Sequence, residues 1–446
     1  MNRPDLAAEV AAAERAVEEV LRDRAGRQPQ PGGETAEREE AERQVAEHAL
    51  DDWLRRVAAR RLRDGAPPLS ADDESDLRRA VLARLFGLGE LQELLDDDTV
   101  ESIHVNGAGD VFIRDVDNRI RRVTGLLDGD DDHLVAFVQR LAAHEGLGER
   151  RWDVGAPALN LTLRDGSRLH GLMAVTRRPC VTLRRHRLLD VDLDDLVRMG
   201  TVPRAVAELL TAAIRCGEST VIAGGPGAGK STTLRGLASV IPPSQRIVTI
   251  EDTLELHLDR DTERHPNCVA IETRPPNIEG RGELSVVAAL REALRMDPDV
   301  LIVGEVRIEE TVPMLLALAA GNVAGSLSTV HAFSTGEALQ QLQTYAMVGP
   351  ERMPGESSAR LIGSALDWVV HVERRVGTDG RIRRVLTSVR EVCGSQGIQV
   401  VSNEVFRHDR NGHAEAFAGV TDETRARLAQ VGYDIADLAV TGRFVG

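Results

Sequence analysis

Apolar residues follow two regimes along the chain. In residues 6–24 and 34–64 they recur at helical spacing among Ala, Glu and Arg, which predicts two charged helices. The breaker stretch Gly26-Arg-Gln-Pro-Gln-Pro-Gly-Gly33 predicts a flexible connection between them, so a solvated, partly disordered extension is the competing expectation. A second breaker, Gly65-Ala-Pro-Pro68, precedes Ser70-Ala-Asp-Asp73, which has the form of a helix capping box. From Leu88 to Arg187 short alternating runs predict strands at Ser102–Val105, Val111–Ile113 and Leu159–Leu163, with a hairpin turn at Asp165-Gly166 and a helix from His133 to His144. This is α+β material. Asp190–Arg198 predicts a connector helix.

Beyond it the pattern changes. Ser219–Ala223, Gln245–Ile250, Asp299–Val303 and Leu327–Val330 are short apolar runs rich in β-branched residues, separated by helical stretches such as Ser231–Val240. Strands of that kind, alternating with helices, predict a parallel sheet covered on both faces. The longest uncharged run, Thr311–Val330, is about 20 residues and could span a bilayer by length alone. Pro313, Gly321, Asn322 and Gly325 interrupt it, and it predicts a helix, a turn and a strand. No transmembrane segment and no signal peptide are expected.

At roughly 100–200 residues per domain, 446 residues suggest two or three domains. The 71 acidic side chains exceed the 55 basic ones, for a net charge of −16. That sign is opposite to the footprint of a phosphate-backbone binder. With 7 Phe, 3 Trp and 2 Tyr there are also few stacking platforms, so no direct nucleic-acid partner is expected. Cys180, Cys216, Cys268 and Cys393 form no C-x-x-C pair and read as reduced thiols of a cytosolic protein. Among the 55 basic side chains there is one lysine, Lys230, against 54 arginines. A lysine retained against that bias points to chemistry that needs a compact ammonium rather than a planar fork.

Lys230 lies in Gly224, Gly225, Pro226, Gly227, Ala228, Gly229, Lys230, Ser231, Thr232, which matches G-x-x-x-x-G-K-[ST] between a strand and a helix. Backbone N–H groups of such a P-loop wrap phosphate oxygens at the positive end of the helix. Lys230 would reach the β- and γ-phosphates of ATP, and Ser231 would hold Mg²⁺. Three further strands end in candidate residues. Glu251, with Asp252, would stand at the carboxyl edge of the sheet and polarise an attacking water, the alternative being a solvated loop charge. Glu305 takes the Walker B position and would order the Mg²⁺ shell through water, although Asp is more familiar there. His331 would sense the ligand or serve as a structural histidine. Arg184, Arg185, Arg274, Arg281, Arg291 and Arg295 are candidates for nucleotide phosphate, with solvated surface arginines as the alternative.

With these motifs in order, the chain resembles the secretion ATPase superfamily of type II and type IV systems, and most of all its CpaF-like, Tad-type pilus-assembly branch. The resemblance rests on Gly224–Thr232 as Walker A, Ile250–Glu255 as the Asp box, Glu272–Asn277, Ala293–Met296 leading to Ile302–Arg307 as Walker B, and Ser326–His331 as the His box. Upstream, Leu94–Gly107, Asp165–Leu169 and Val181–Arg185 resemble that family's N-terminal domain, and the coverage is about residues 90–395. Gly321–Gly325 and Phe333 depart from the family pattern.

The resemblance implies a RecA-like P-loop NTPase domain with a mostly parallel sheet, an α/β fold, preceded by an α+β N-terminal domain and a charged helical extension. The expected boundaries are 1–85 for the extension, 86–187 for the α+β domain, 188–201 for the connector and 202–395 for the ATPase domain. A tail, 396–446, carries a polar helix near Asp422–Leu428 and receives no role. By the same resemblance the protein is a hexameric, ATP-hydrolysing motor for pilus assembly or protein secretion. It would lie on the inner face of the cytoplasmic membrane against an integral membrane platform protein. The alternatives are a conjugation-type secretion ATPase, a RecA-like nucleic-acid motor and a non-catalytic nucleotide-dependent assembly factor.

Overall fold

The computed structural model describes residues 3–27, 35–86, 91–124, 127, 130–145, 151–163, 165–185, 190–274, 276, 280–321, 323, 325–377, 380–408 and 414–434. Most of the Gly26–Gly33 connection therefore lies outside the described residues, as do parts of Glu272–Asn277 and Gly321–Gly325. The chain divides into two compact units, Met1–Asp115 with Arg119–Leu159 and Leu169–Arg185, and Val116–Asn118 with Asn160–Arg168 and His186–Gly446.

The first unit opens with helices α1 (Arg3–Arg27), α2 (Thr35–Arg63) and α3 (Ala71–Phe86). Their charge hides one apolar stripe each. Val10, Ala13 and Val17 of α1, Leu50, Trp53, Leu54 and Val57 of α2, and Leu77 and Val81 of α3 are buried together in one cluster. The described parts of these helices thus share a core, in place of the solvated extension. Ser70 caps α3, its Oγ accepting the Asp73 N–H at 3.1 Å. Then come α4 (Gln92–Asp96), β1 (Val100–Asn106), β2 (Val111–Asp115), β3 (Ile120–Val123), α5 (Asp131–Glu145), β4 (Ala158–Thr162), β5 (Arg168–Leu172) and β6 (Cys180–Arg184). The strands form a sheet in the order β3-β2-β1-β6-β5-β4, with β1 antiparallel to both β2 and β6.

The second unit continues with α6 (Leu193–Arg198), α7 (Arg204–Arg215), β7 (Thr220–Ala223), α8 (Lys230–Ala238), β8 (Ile247–Glu251), β9 (Cys268–Glu272), α9 (Val286–Ala293), β10 (Val300–Val303), α10 (Ile308–Ala319), β11 (Ser326–Val330), α11 (Thr335–Val348), α12 (Gly355–Ala365), β12 (Trp368–Val376), β13 (Ile382–Gln396), β14 (Gln399–His408), β15 (Ala414–Ala416) and α13 (Asp422–Ala429). Its sheet has nine strands in the order β15-β14-β13-β12-β7-β11-β10-β8-β9. The run from β12 to β9 is parallel, and β13, β14 and β15 extend it antiparallel.

Every residue of β7, β8, β10 and β11 is buried, Thr220, Thr249, Ser326, Ser328 and Thr329 included, as in strands covered on both faces. Alternation sends Ile222, Ile302 and Leu327 to a core shared with α6, α7 and α8. Val221, Val248, Leu301 and Val330 face α9, α10, α11 and α12. The tail joins this unit: Arg427 of α13 ion-pairs with buried Glu218 at 2.6 Å, and the Thr421 hydroxyl donates to buried Glu391 at 2.6 Å. Among the described residues no helix is long and apolar enough to cross a membrane.

Candidate active site

Three strand ends and one glycine loop meet at the carboxyl edge of the nine-stranded sheet. After β7 the chain turns tightly against β12, where a Cβ on Gly224 would lie 2.6 Å from the Val372 carbonyl oxygen. Gly227 and Gly229 have φ of 69° and 97°, the left-handed region that favours glycine, and Gly229 forms the N-cap of α8. Pro226 is exposed on the outside of the turn, Ala228 is buried beneath it, and Thr232 is half-buried on α8.

Lys230, only 9% exposed, bends back into the loop. Its Nζ lies 3.1 Å from the Gly224 carbonyl, 3.5 Å from that of Gly225 and 3.2 Å from His331 Nδ1. An ammonium has donors only, so His331 Nδ1 accepts and the ring proton sits on Nε2. Nε2 lies 2.9 Å from Glu305 Oε1 and donates that proton to it. The other Glu305 oxygen accepts from Arg307 Nη2 at 2.8 Å, and Arg307 Nη1 donates to Asp252 at 2.7 Å. A continuous polar line, Lys230–His331–Glu305–Arg307–Asp252, therefore crosses the edge over β7, β11, β10 and β8.

Glu251 does not join it. Its side chain is buried at 4% exposure, and Oε2 accepts the N–H groups of Glu255 at 2.9 Å and Leu256 at 3.0 Å. Burial pushes its carboxyl up to about 7, against the lowering effect of those two N–H bonds. Glu251, expected to polarise an attacking water, thus has Oε2 committed to the backbone under the loop, while Oε1 accepts from Thr249 Oγ1 at 3.5 Å. The carboxylate beside Ser231 is that of Glu255, whose Oε2 accepts from Ser231 Oγ at 2.9 Å. Arg168 pairs with the other oxygen of Glu255 and donates to Thr253 Oγ1 at 3.1 Å.

A hydroxyl and a carboxylate at the first turn of a P-loop helix suit Mg²⁺, which keeps several waters and takes few protein oxygens. Among the described residues no group of three or more His, Cys, Asp or Glu side chains forms an all-protein cage.

The candidate arginines fare differently. Arg184 is exposed at the end of β6, whereas Arg185 is held within the first unit by Asp98 at 3.0 Å and the Asp97 carbonyl at 2.7 Å. Arg274 ties its own loop through the Gly282 carbonyl at 2.7 Å, Arg295 pairs with Glu292 at 3.3 Å, and Arg281 and Arg291 are exposed. The arginines that do lie over the P-loop come from β12 and β13. Arg384 Nε donates to the Gly227 carbonyl at 3.1 Å with its stem across Gly229, and the stem of Arg374 borders Gly227. Nothing in their local sequence marks these two among 54 arginines; the pairing of β12 with β13 brings them there. Phe333 is 76% exposed with its ring edge beside Gly225.

The family model described as type II/IV secretion system protein matches residues 85–417. Rv3659c of Mycobacterium tuberculosis, named as a putative conjugal transfer protein, is 32% identical over 361 residues, 79% of this chain and 97% of that protein. The type IV secretion system protein PtlH of Bordetella pertussis is 34% identical over 326 residues, 68% of this chain and 93% of that protein. Among solved structures, the ATPase DotB of Legionella pneumophila aligns at 18% identity over 79% of this chain and 84% of that one. Its TM-score of 0.48 is too low to add to the fold described above.

Proposed function

The chain belongs to the type II/IV secretion system protein family, and from that premise we propose that it is an ATP-hydrolysing motor energising a membrane secretion or pilus-assembly machine. The observation that carries the reading is the line from Lys230 through His331 to Glu305 across a P-loop. Lys230 is satisfied there by the loop's own carbonyls and His331, contacts that phosphate oxygens would replace. Its departure would free His331 Nδ1 and so alter the hydrogen bond from Nε2 to Glu305, which makes His331 a sensor of phosphate. Ser231 and Glu255 would hold Mg²⁺, directly or through water, with Glu305 ordering the outer water. Bound Mg²⁺ would neutralise charge developing on the phosphoryl oxygens. Glu255 thereby joins Ser231 and Glu305, the residues first expected at the metal, and Arg384 and Arg374 would add positive charge in cis.

Arg184 and Arg185 enter the proposal as further nucleotide contacts. Replacing both with Ala should spare binding and depress hydrolysis, and an unchanged kcat removes them. The working form in this proposal is a closed homo-oligomer, a hexamer, docked peripherally on an integral membrane platform at the cytoplasmic face. The order of motifs favours a Tad-type, CpaF-like pilus motor. The names of Rv3659c and PtlH favour a second reading, a conjugal or type IV transfer motor.

The deciding experiment is phosphate release by size-separated oligomers, with and without the candidate platform's cytoplasmic domain. Turnover confined to a ring-sized species supports the motor. A protein that binds ATP without turnover in every species is an assembly factor instead. Scoring a deletion strain for surface pili and for macromolecular transfer separates the two machines.

A further inference from the structure

Two buried ionisable side chains have no part in the line of residues at the sheet edge. Arg235 on α8 is 5% exposed and Glu251 is 4% exposed. Withdrawing such groups from water costs several kcal/mol each unless partners satisfy them. Both converge on the same short piece of backbone. Glu251 Oε2 takes the N–H groups of Glu255 and Leu256, at 2.9 and 3.0 Å. Arg235 Nε donates to the Leu256 carbonyl at 2.9 Å, and Arg235 Nη2 donates to the Glu255 carbonyl.

All four backbone polar groups of these two residues are thus held by one buried carboxyl and one buried guanidinium. Residues 254–257 have neither a helix nor a strand ladder to satisfy them, so the side chains do so. The residue pinned in this way is the one whose carboxylate meets Ser231. Ser231 and Arg235 are four residues apart on α8 and share a face of it, so the helix that carries the P-loop hydroxyl also carries the cationic half of the clamp. Arg168 grips the Glu255 side chain itself, whereas this pair holds the backbone from which the side chain springs.

We propose that Arg235 and Glu251 are positioning residues, a buried guanidinium and a buried carboxyl that together fix the backbone of Glu255 so that its carboxylate stays beside Ser231. The proposal rests on the assignment of Glu255 to the metal shell. The guanidinium's charge-assisted bonds suit the task because they are about twice as strong as neutral ones. The arginine fork spans two adjacent carbonyls, which an ammonium does not.

The test uses the full-length protein, with steady-state phosphate release measured while Mg²⁺ is varied at saturating ATP. Outer-shell partners of a metal site typically contribute about 10–100-fold. Arg235→Met should therefore lower kcat by about tenfold or more and raise the Mg²⁺ needed for half-maximal rate. The ATP KM at saturating Mg²⁺ should stay within about twofold. A merely structural role lowers the melting temperature and leaves the Mg²⁺ dependence of the folded enzyme where it was.

Because Arg235 acts through Glu255, adding Arg235→Met to Glu255→Gln should cost nothing further. Wild-type kcat and Mg²⁺ dependence in Arg235→Met, or losses that multiply in the double variant, overturn the clamp. Wild-type kcat in Glu255→Gln alone overturns the Glu255 assignment instead, so the two failures are distinct. If Arg235→Met does not fold, Arg235→Lys and Glu251→Gln take its place in the same assay. Each should lose less than Glu255→Gln, and wild-type values in both again overturn the clamp.

Discussion

Replacing Lys230 with arginine keeps the charge and changes only its shape, which makes it the sharpest perturbation of the loop. The ammonium now sits among three acceptors, 3.1, 3.5 and 3.2 Å away, at a residue 9% exposed. Three N–H donors on one nitrogen serve three acceptors in different directions, whereas a guanidinium is planar and places its donors farther from the stem. An arginine must therefore leave this pocket or push the glycine loop open. Loss of one charge-assisted bond to phosphate costs about 1.5–3 kcal/mol, or roughly 10–150-fold in ATP affinity. Losing a donor aimed at charge that develops during hydrolysis costs on the order of 10²–10³ in kcat. Calorimetric ATP binding and phosphate release measure the two terms separately. The chain uses arginine at 54 of 55 basic positions. A Lys230→Arg variant with kcat within about threefold of wild type would therefore refute the point-charge argument.

Glu305→Gln keeps an acceptor for His331 and loses the charge beside Arg307, so kcat should fall on the order of 10²-fold while ATP binding changes little. Near-full turnover would remove Glu305 from the mechanism. Gly224→Ala drives a Cβ to 2.6 Å from a backbone oxygen and should cost about 1–3 kcal/mol in urea unfolding. Gly225→Ala meets only the Phe333 ring at 3.6 Å and should be near neutral, so equal costs at the two positions would contradict the packing described. Glu251 has a carboxyl pKa raised to about 7 by burial, with Arg235 on α8 and Glu255 on its own loop as the charged groups facing it. Its folded pKa lies above the unfolded value, so its contribution to stability is complete below about pH 4.5 and is lost as pH rises through 7. Urea titrations of wild type and Glu251→Gln should accordingly shift in favour of the Gln variant across that window, and parallel curves would count against the burial argument.

The local patterns that were legible are those whose geometry is short-range. The run Ser219–Ala223 followed by Gly224–Thr232 marks a strand, a glycine turn and a helix, and these are β7, the loop and α8. Short runs rich in apolar and β-branched residues mark strands buried on both faces, and their carboxyl ends bring Glu305 and His331 to one edge beside Lys230. The unique lysine needs no structure to be noticed. The Asp box shows where this kind of legibility stops. Glu251 ends a strand and so looks like the carboxylate of the crevice, yet the chain folds back over it and delivers Glu255 to Ser231.

The tertiary structure alone placed Glu255, and not Glu251, beside Ser231, and it alone distinguished Arg384, Arg374, Arg307 and Arg235 from their many counterparts. It also gave the charged N-terminal helices a common core and tied the tail to Glu218 through Arg427. The physical reason is common to all these cases. Periodicity and turn chemistry record what a residue does within a few positions of itself, and so determine strands, helices and the phosphate loop. A side chain's partner is set by strand order and by the return path of loops, and a glutamate or an arginine has the same local signature whether it is solvated, clamped to backbone or placed beside a metal site.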